Sequence, residues 1–278
     1  MKKIVFGFIA FCLANIDNVA AKAECNIDNR IPSHQSNIGR LLGSHVSAIG
    51  TEFGSVCTVT LISSRCALTA GHCYLEKWDQ YVEFQVPDSK LEKNPFYPAC
   101  PQSGAPENRY EVDKASAVYQ NQAGNDWAVI RLKRNLLTSK FAGDVQGFSL
   151  VSFRTPDLGS AIRITGYGGD NSNPVKDYTQ QTSVGIFKSY FQDHKNDPEL
   201  FRKSDMLHTA FSPGGTSGAA IFEEKSQLIF GIHNSSRCRK DVDLEFADIQ
   251  VPGSGGYHGT LISTNLQLQA AITACLDE

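Results

Sequence analysis

The sequence predicts an all-β fold closed by one C-terminal helix, and three features carry that prediction. From Val56 onward, short apolar runs rich in Val, Ile, Thr and Phe are separated by clusters of Gly, Asn, Asp and Pro, the pattern of strands joined by turns. No segment before the C-terminus keeps a helical period. At the end, Ser263-Thr264-Asn265 can cap a run whose apolar residues Leu266, Leu268, Ala271, Ile272 and Leu276 lean to one face, a helix start signal followed by an amphipathic stripe.

In chain order, the predicted strands are 56–62, 66–69, 81–86, 117–119, 127–132, 161–165, 182–187, 219–222, 228–233 and 259–263. Many strands without helices between them predict a barrel or sandwich. Two stretches read as insertions. Residues 87–108 hold Pro87, Pro95, Pro98, Pro101 and Pro106, too many for a central strand, so they form a long surface loop that Cys100 can tether. Residues 168–177 are rich in Gly, Asn and Asp and form a second loop. A break near residues 133–160 divides the chain into halves of similar strand count.

The N-terminus carries Lys2 and Lys3, an apolar run from Ile4 to Leu13, and a polar stretch ending in Ala21-Lys22-Ala23. This is the layout of a secretory signal over residues 1–23, with an apolar run about half the ~20 residues of a membrane span. Residues 24–40 then form a polar arm or prosegment, and 41–278 the main domain. Export to an extracellular or periplasmic space fits the cysteines. The seven that follow the signal, at 25, 57, 66, 73, 100, 238 and 275, are too scattered for zinc and suit disulfides. Their number is odd, and Cys66, inside an apolar run, reads as a buried unpaired thiol. The formal net charge is −3 over the whole chain. Without any long run of one sign, neither nucleic acid nor an anionic membrane is an expected partner.

Three blocks carry chemistry. Leu68-Thr69-Ala70-Gly71-His72-Cys73 holds a histidine, Asn125-Asp126-Trp127-Ala128-Val129-Ile130 an aspartate, and Gly214-Gly215-Thr216-Ser217-Gly218-Ala219-Ala220 a serine among glycines. A serine hydroxyl is a weak nucleophile, so it needs a base in hydrogen-bond reach, and the base needs an orienting acceptor on its other nitrogen. His72, Asp126 and Ser217 can fill these catalytic roles. The glycines beside Ser217 let the backbone turn so that the N–H groups of Gly215 and Ser217 point at one spot, an oxyanion hole. An α/β-hydrolase would want Gly-x-Ser-x-Gly and the order Ser, acid, His. Ala219 takes the last glycine place here and His72 comes first.

These blocks resemble the chymotrypsin-like (trypsin-fold) serine proteases. Cys57, Leu61-Ile62-Ser63 and Leu68 to Cys73 are similar to that family's histidine block, Asp126 to Ile130 to its aspartate block, Ile164-Thr165-Gly166-Tyr167-Gly168 to a strand opening its second barrel, and Gly215 to Gly218 to its serine block. The resemblance implies two six-stranded antiparallel β-barrels with the triad between them, a Cys57–Cys73 disulfide, and hydrolysis of protein or peptide substrates through an acyl-enzyme by a monomer. Neither metal nor organic cofactor is needed. The alternative is a trypsin fold kept as a non-catalytic binding or adhesion protein.

Two departures from the family pattern matter. Thr216 stands where animal members carry the aspartate that pairs with a freed N-terminus, although Arg30-Ile31 has the form of a processing site. Phe211 falls where a trypsin keeps its acidic specificity residue, so cleavage after Lys or Arg is not expected. Instead, Gly231-Ile232-His233 resembles the strand of bacterial glutamyl endopeptidases, with Ser212 five positions before Ser217. This resemblance implies substrate binding by Ser212 and His233 and a preference for acidic, chiefly Glu, residues before the scissile bond, while Asn234 and Ser235 pair with the substrate backbone. His34, His45, His194, His208 and His258 lack partners at metal-ligand spacing and read as ordinary surface or packing residues.

Overall fold

A computed structural model describes residues 28–46, 52–91, 99–100, 102–122, 125–169, 177–190, 205–235 and 257–277. Fifteen strands and two helices follow in chain order among them: β1 (Ile31–Pro32), β2 (Ile38–Val46), β3 (Glu52–Leu61), β4 (Cys66–Thr69), β5 (Asp79–Glu83), β6 (Lys90–Leu91), β7 (Ala99–Cys100), β8 (Arg109–Gln122), β9 (Asn125–Leu132), α1 (Ala142–Gln146), β10 (Ala161–Gly166), β11 (Gln181–Tyr190), β12 (Asp205–His208), β13 (Ala220–Glu223), β14 (Ile229–Ser235), β15 (Tyr257–Leu261) and α2 (Leu266–Leu276).

The strands close two six-stranded antiparallel barrels. The first runs β2-β3-β4-β9-β8-β5 and shuts through β2–β5 pairing, with Arg40 opposite Glu83. The second runs β11-β10-β13-β14-β15-β12 and shuts where β11 meets β12, with Phe187 opposite His208. β1 adds to the free edge of β11, Ile31 opposite Thr182.

Continuous apolar runs, rather than strict alternation, mark several of these strands because both of their faces are buried. Ala67 on β4 and Ala128, Ile130 and Leu132 on β9 point into the first barrel, with Leu41, Val59 and Tyr110. Cys66, Leu68, Trp127 and Val129, on the opposite faces, pack on Leu268 and Ile272 of α2. The second barrel is filled by Ile162, Ile164, Phe187, Ile221, Phe230 and Leu261. Helix α2 starts where expected, and the Asn265 side chain accepts the Leu268 amide at 3.0 Å. Its inward stripe is Leu268, Ala271, Ile272 and Cys275, while Leu266 and Leu276 are exposed.

The sequence expectations need correction at Cys66 and in the strand list. Cys66 is not an unpaired thiol: it forms a disulfide with Cys275, beside the expected Cys57–Cys73 bridge. Of residues 24–40, expected as an N-terminal arm or prosegment, the described part carries β1 and the start of β2, which pair with β11 and β3, and Ile38 and Arg40 are buried. β2 and β12 were not foreseen. Gly39, Gly43 and the buried Arg40 break the apolar pattern of β2, and β12 is only four residues long. The expected signal, residues 1–23, lies outside the described residues, as do Cys25 and Cys238. No helix among the described residues is long and apolar enough to cross a membrane.

Candidate active site

His72 sits in a one-turn 3-10 segment, Gly71–Cys73, directly after β4. This turn is pressed against β8: a Cβ built on Gly71 would lie 1.7 Å from the Gln120 carbonyl oxygen and 3.0 Å from Asp126 Oδ1. Only glycine lets the histidine come this close to the aspartate strand. Asp126 then holds His72 at two points. Its Oδ2 is 2.6 Å from Nδ1, and its Oδ1 accepts the His72 backbone N–H at 2.8 Å. The pair sits at the mouth of the site, His72 with 37% and Asp126 with 13% of its side chain exposed. The imidazole therefore keeps contact with solvent while its carboxylate partner is largely shielded.

Asp126 is fixed in turn from the second barrel. Thr260 on β15 accepts the Asp126 amide at 3.3 Å and donates its hydroxyl to the Asp126 carbonyl at 3.2 Å. The Asn234 side-chain amide donates to the same Thr260 oxygen at 3.0 Å. A third anchor is Asn125, whose Oδ1 accepts from Trp127 Nε1 and from the Asn265 side chain at the start of α2.

Ser217 lies on the tight turn leading into β13. The turn is gripped by Thr58 of β3, whose N–H donates to the Ser217 carbonyl at 2.8 Å and whose hydroxyl donates to the Gly215 carbonyl at 3.0 Å. Gly215 and Gly218 both adopt positive φ, 93° and 88°. At Gly218 a Cβ would also meet Thr69 Oγ1 at 2.1 Å and the Thr58 carbonyl at 2.3 Å, so the position admits only glycine. The Gly215 and Ser217 amides donate to no acceptor among the described residues. Cys73 Sγ lies 3.6 Å from His72 Nε2 and 3.7 Å from the Ser217 carbonyl, so both sides of the site abut one sulfur. The hydrogen bonds described for the His72 ring do not include one to the Ser217 hydroxyl. The sulfurs of Cys57 and Cys73 and a His72 nitrogen cluster within 4.8 Å. Both sulfurs are spent on the disulfide, so the cluster is not a metal site.

His233 is fully buried on β14, and Ser212 is fully buried in the loop before the turn. The structure adds His208, which sequence reasoning set aside: its Nε2 lies 3.1 Å from His233 Nδ1. Tyr257 stacks on His208 with ring centroids 5.8 Å apart. His258, also set aside, is buried opposite Ser235. Nothing in the sequence signals the His208–His233 pair, because 25 residues and several turns separate its members. The outer nitrogen of His233, Nε2, has no hydrogen-bond partner among the described residues. Burial drives the His233 pKa down to about 3, and the neighbouring His72 and His258 push the same way. His208 is likewise held far below the ordinary histidine range by burial first and His233 second. Both rings are therefore neutral at physiological pH. Ser212 donates its hydroxyl to the Ala210 carbonyl at 2.8 Å and makes no hydrogen bond to His233. Asn234 and Ser235 follow His233 at the half-buried end of β14.

Comparison with known proteins agrees with this architecture. A search of curated proteins by sequence finds no match. Among solved structures, a Glu endopeptidase superposes with a TM-score of 0.58 at 18% identity, covering 91% of this chain and 99% of the other. The protease Anisep from Arthrobacter nicotinovorans gives 0.57 at 15% identity, covering 90% and 100%. Neuropsin of mouse brain gives 0.54 at 17% identity, covering 89% and 97%. At such identities these likenesses speak for the fold alone. The trypsin family profile matches residues 43–247, from within β2 through β14 and including all three blocks around His72, Asp126 and Ser217, and the chain therefore belongs to the trypsin family of chymotrypsin-like serine proteases.

Proposed function

We propose that the protein is a secreted serine endopeptidase in which His72, Asp126 and Ser217 form the catalytic triad. The observation that carries this reading is the two-point grip of Asp126 on His72, which commits Nδ1 and leaves Nε2 for the nucleophile. In this scheme Nε2 takes the Ser217 proton as the hydroxyl oxygen attacks the scissile carbonyl, then gives it to the leaving amine. Asp126 stays ionised and stabilises the imidazolium. Water next attacks the acyl-enzyme with His72 again as base, and Ser217 is released with its proton. The undonated amides of Gly215 and Ser217 are available to the developing oxyanion, where losing one donor costs about 3 kcal/mol of barrier.

The finer reading is a preference for Glu before the cut. If His208 donates through Nε2 to His233 Nδ1, the His233 proton sits on Nε2, the buried nitrogen without a partner. A buried donor left unpaired is costly, and a substrate carboxylate would satisfy it with a charge-assisted bond. Ser212 joins only if its hydroxyl turns away from the Ala210 carbonyl. Asn234 and Ser235 then offer a strand end to the substrate backbone.

The test is cleavage-site mapping with a diverse peptide mixture, together with labelling by a fluorophosphonate. Wild-type protein should be labelled and should cut mainly after Glu, while Ser217→Ala should do neither. Absence of labelling in folded wild-type protein would favour the non-catalytic binding protein. Cuts after small or apolar residues, unchanged in His233→Ala, would remove the acidic preference while leaving the triad.

A further inference from the structure

Arg30 is a charged residue only 8% exposed, far from any role given to it above. Its guanidinium pairs with Asp28 through two donors, Nε to Oδ1 at 2.9 Å and Nη2 to Oδ2 at 2.8 Å. The remaining arm, Nη1, reaches the Gly169 carbonyl at 3.4 Å. The guanidinium carbon stands 5.1 Å from the centre of the Phe211 ring, within cation–π range. The segment is locked in place by its neighbours: the Asn29 side chain donates to the Val184 carbonyl at 2.7 Å and accepts from Ser183 at 2.6 Å, and Ile31 pairs with Thr182.

Gly169 and Phe211 both lead to the active-site turn. The Gly169 N–H donates to the Gly214 carbonyl at 2.7 Å, one residue before the Gly215 amide. Phe211 meets Tyr257 edge-on at 6.1 Å, and Tyr257 stacks on His208, the partner of His233. Thr58 of the first barrel grips the Gly215 carbonyl from the other side at 3.0 Å.

We infer that Arg30 is a positioning residue: paired with Asp28, it clamps the Phe211–Gly215 loop and so holds the oxyanion amides and the pocket wall in working geometry. The inference rests on the serine-protease reading for its catalytic consequence. It also reverses the meaning of Arg30-Ile31 in the sequence. The Arg30 side chain is buried rather than presented to a processing enzyme, and cleavage after it would cut the clamp away. The active protein therefore keeps residues 28–30.

The experiment compares wild type with Arg30→Met, which retains apolar bulk against Phe211 but no donor, and with Arg30→Lys. Three readouts are taken: kcat and KM on one peptide, hydrogen exchange of the Gly169 and Thr216 amides by mass spectrometry, and the intact mass of the active secreted protein. Arg30→Met should lose at least tenfold in kcat, with KM changed less, and its Gly169 and Thr216 amides, which donate to the Gly214 and Pro213 carbonyls, should exchange at least tenfold faster while those of the first barrel do not change. Arg30→Lys should recover most of the lost kcat, because an ammonium can still pair with Asp28 and reach the Gly169 carbonyl. The mass should show an N-terminus before Asp28. The inference is overturned if Arg30→Met matches wild type within twofold in turnover and exchange, if neither variant folds, or if a form starting at Ile31 is fully active. Should wild type cleave nothing, the protease reading fails separately, and the exchange result still decides the clamp.

Discussion

The two disulfides close loops of very different length, and removing each in turn separates stability from catalysis. Cys66–Cys275 spans 209 residues and Cys57–Cys73 spans 16. On the chain-entropy estimate, cross-linking over these distances is worth about 5 and about 3 kcal/mol respectively. The long bridge ties β4 to α2, whose Leu268, Ala271 and Ile272 are also buried. The short bridge has Cys73 Sγ within 4 Å of both His72 Nε2 and the Ser217 carbonyl. The expectation is a crossover. Cys66→Ala/Cys275→Ala should lower the melting temperature the more, roughly 10 °C or above, yet keep kcat within about threefold. Cys57→Ala/Cys73→Ala should melt closer to wild type and lose about a hundredfold in kcat, the order expected when a catalytic group moves by about 1 Å. Calorimetry and steady-state hydrolysis of one peptide measure both quantities on the same preparations. If the long-bridge variant is the less destabilised, or the short-bridge variant keeps full kcat, the reasoning fails.

Three further outcomes follow from the geometry. In Gly71→Ala the new methyl must gain at least about 1.3 Å of clearance from the Gln120 carbonyl, so kcat should fall about a hundredfold and stability by about 1–3 kcal/mol; unchanged kinetics would mean the turn has room to give. His208 and His233 have folded-state pKa values below the unfolded 6.5, so they titrate more readily in the unfolded chain. Their contribution is fully present above pH 6.5 and is lost as pH falls toward 3. Urea melts of wild type should weaken across that window, and a His208→Gln/His233→Gln variant should show a shallower slope; an identical slope would refute the assignment. Glu83 is fully buried between Arg40 and Arg109, with contacts of 2.7 and 2.6 Å. Glu83→Ala strands a buried cation and should cost about 3–5 kcal/mol in chemical denaturation, whereas a loss below about 1 kcal/mol, the scale of a surface pair, would show that Arg40 finds another partner.

Ten strand segments were legible in the residues because an apolar run between turn formers is local information. The run Cys66 to Thr69 coincides with β4, and Ala161 to Thr165 with all but the last residue of β10. Where a strand is built on glycines and a buried arginine, as β2 is, local apolarity misleads, since Arg40 is stabilised by Glu83 on a strand 43 residues away. The site follows the same division. Each of the three blocks around His72, Asp126 and Ser217 names itself by its neighbours, but Thr58, Thr260 and His208 are ordinary residues in sequence and reach the site only through pairing between strands and barrels.

The sequence alone determined ten strand segments, the closing helix and its Asn265 cap, and the three blocks around His72, Asp126 and Ser217, because each depends on residues within a few positions of one another. Tertiary structure decided the rest. It chose Cys275 as the partner of Cys66, buried His208 against His233 so that both pKa values fall, and folded Arg30 inward onto Phe211. Disulfide choice, desolvation and cation–π contact all depend on distances between residues far apart in the chain, and those exist only once the barrels have closed.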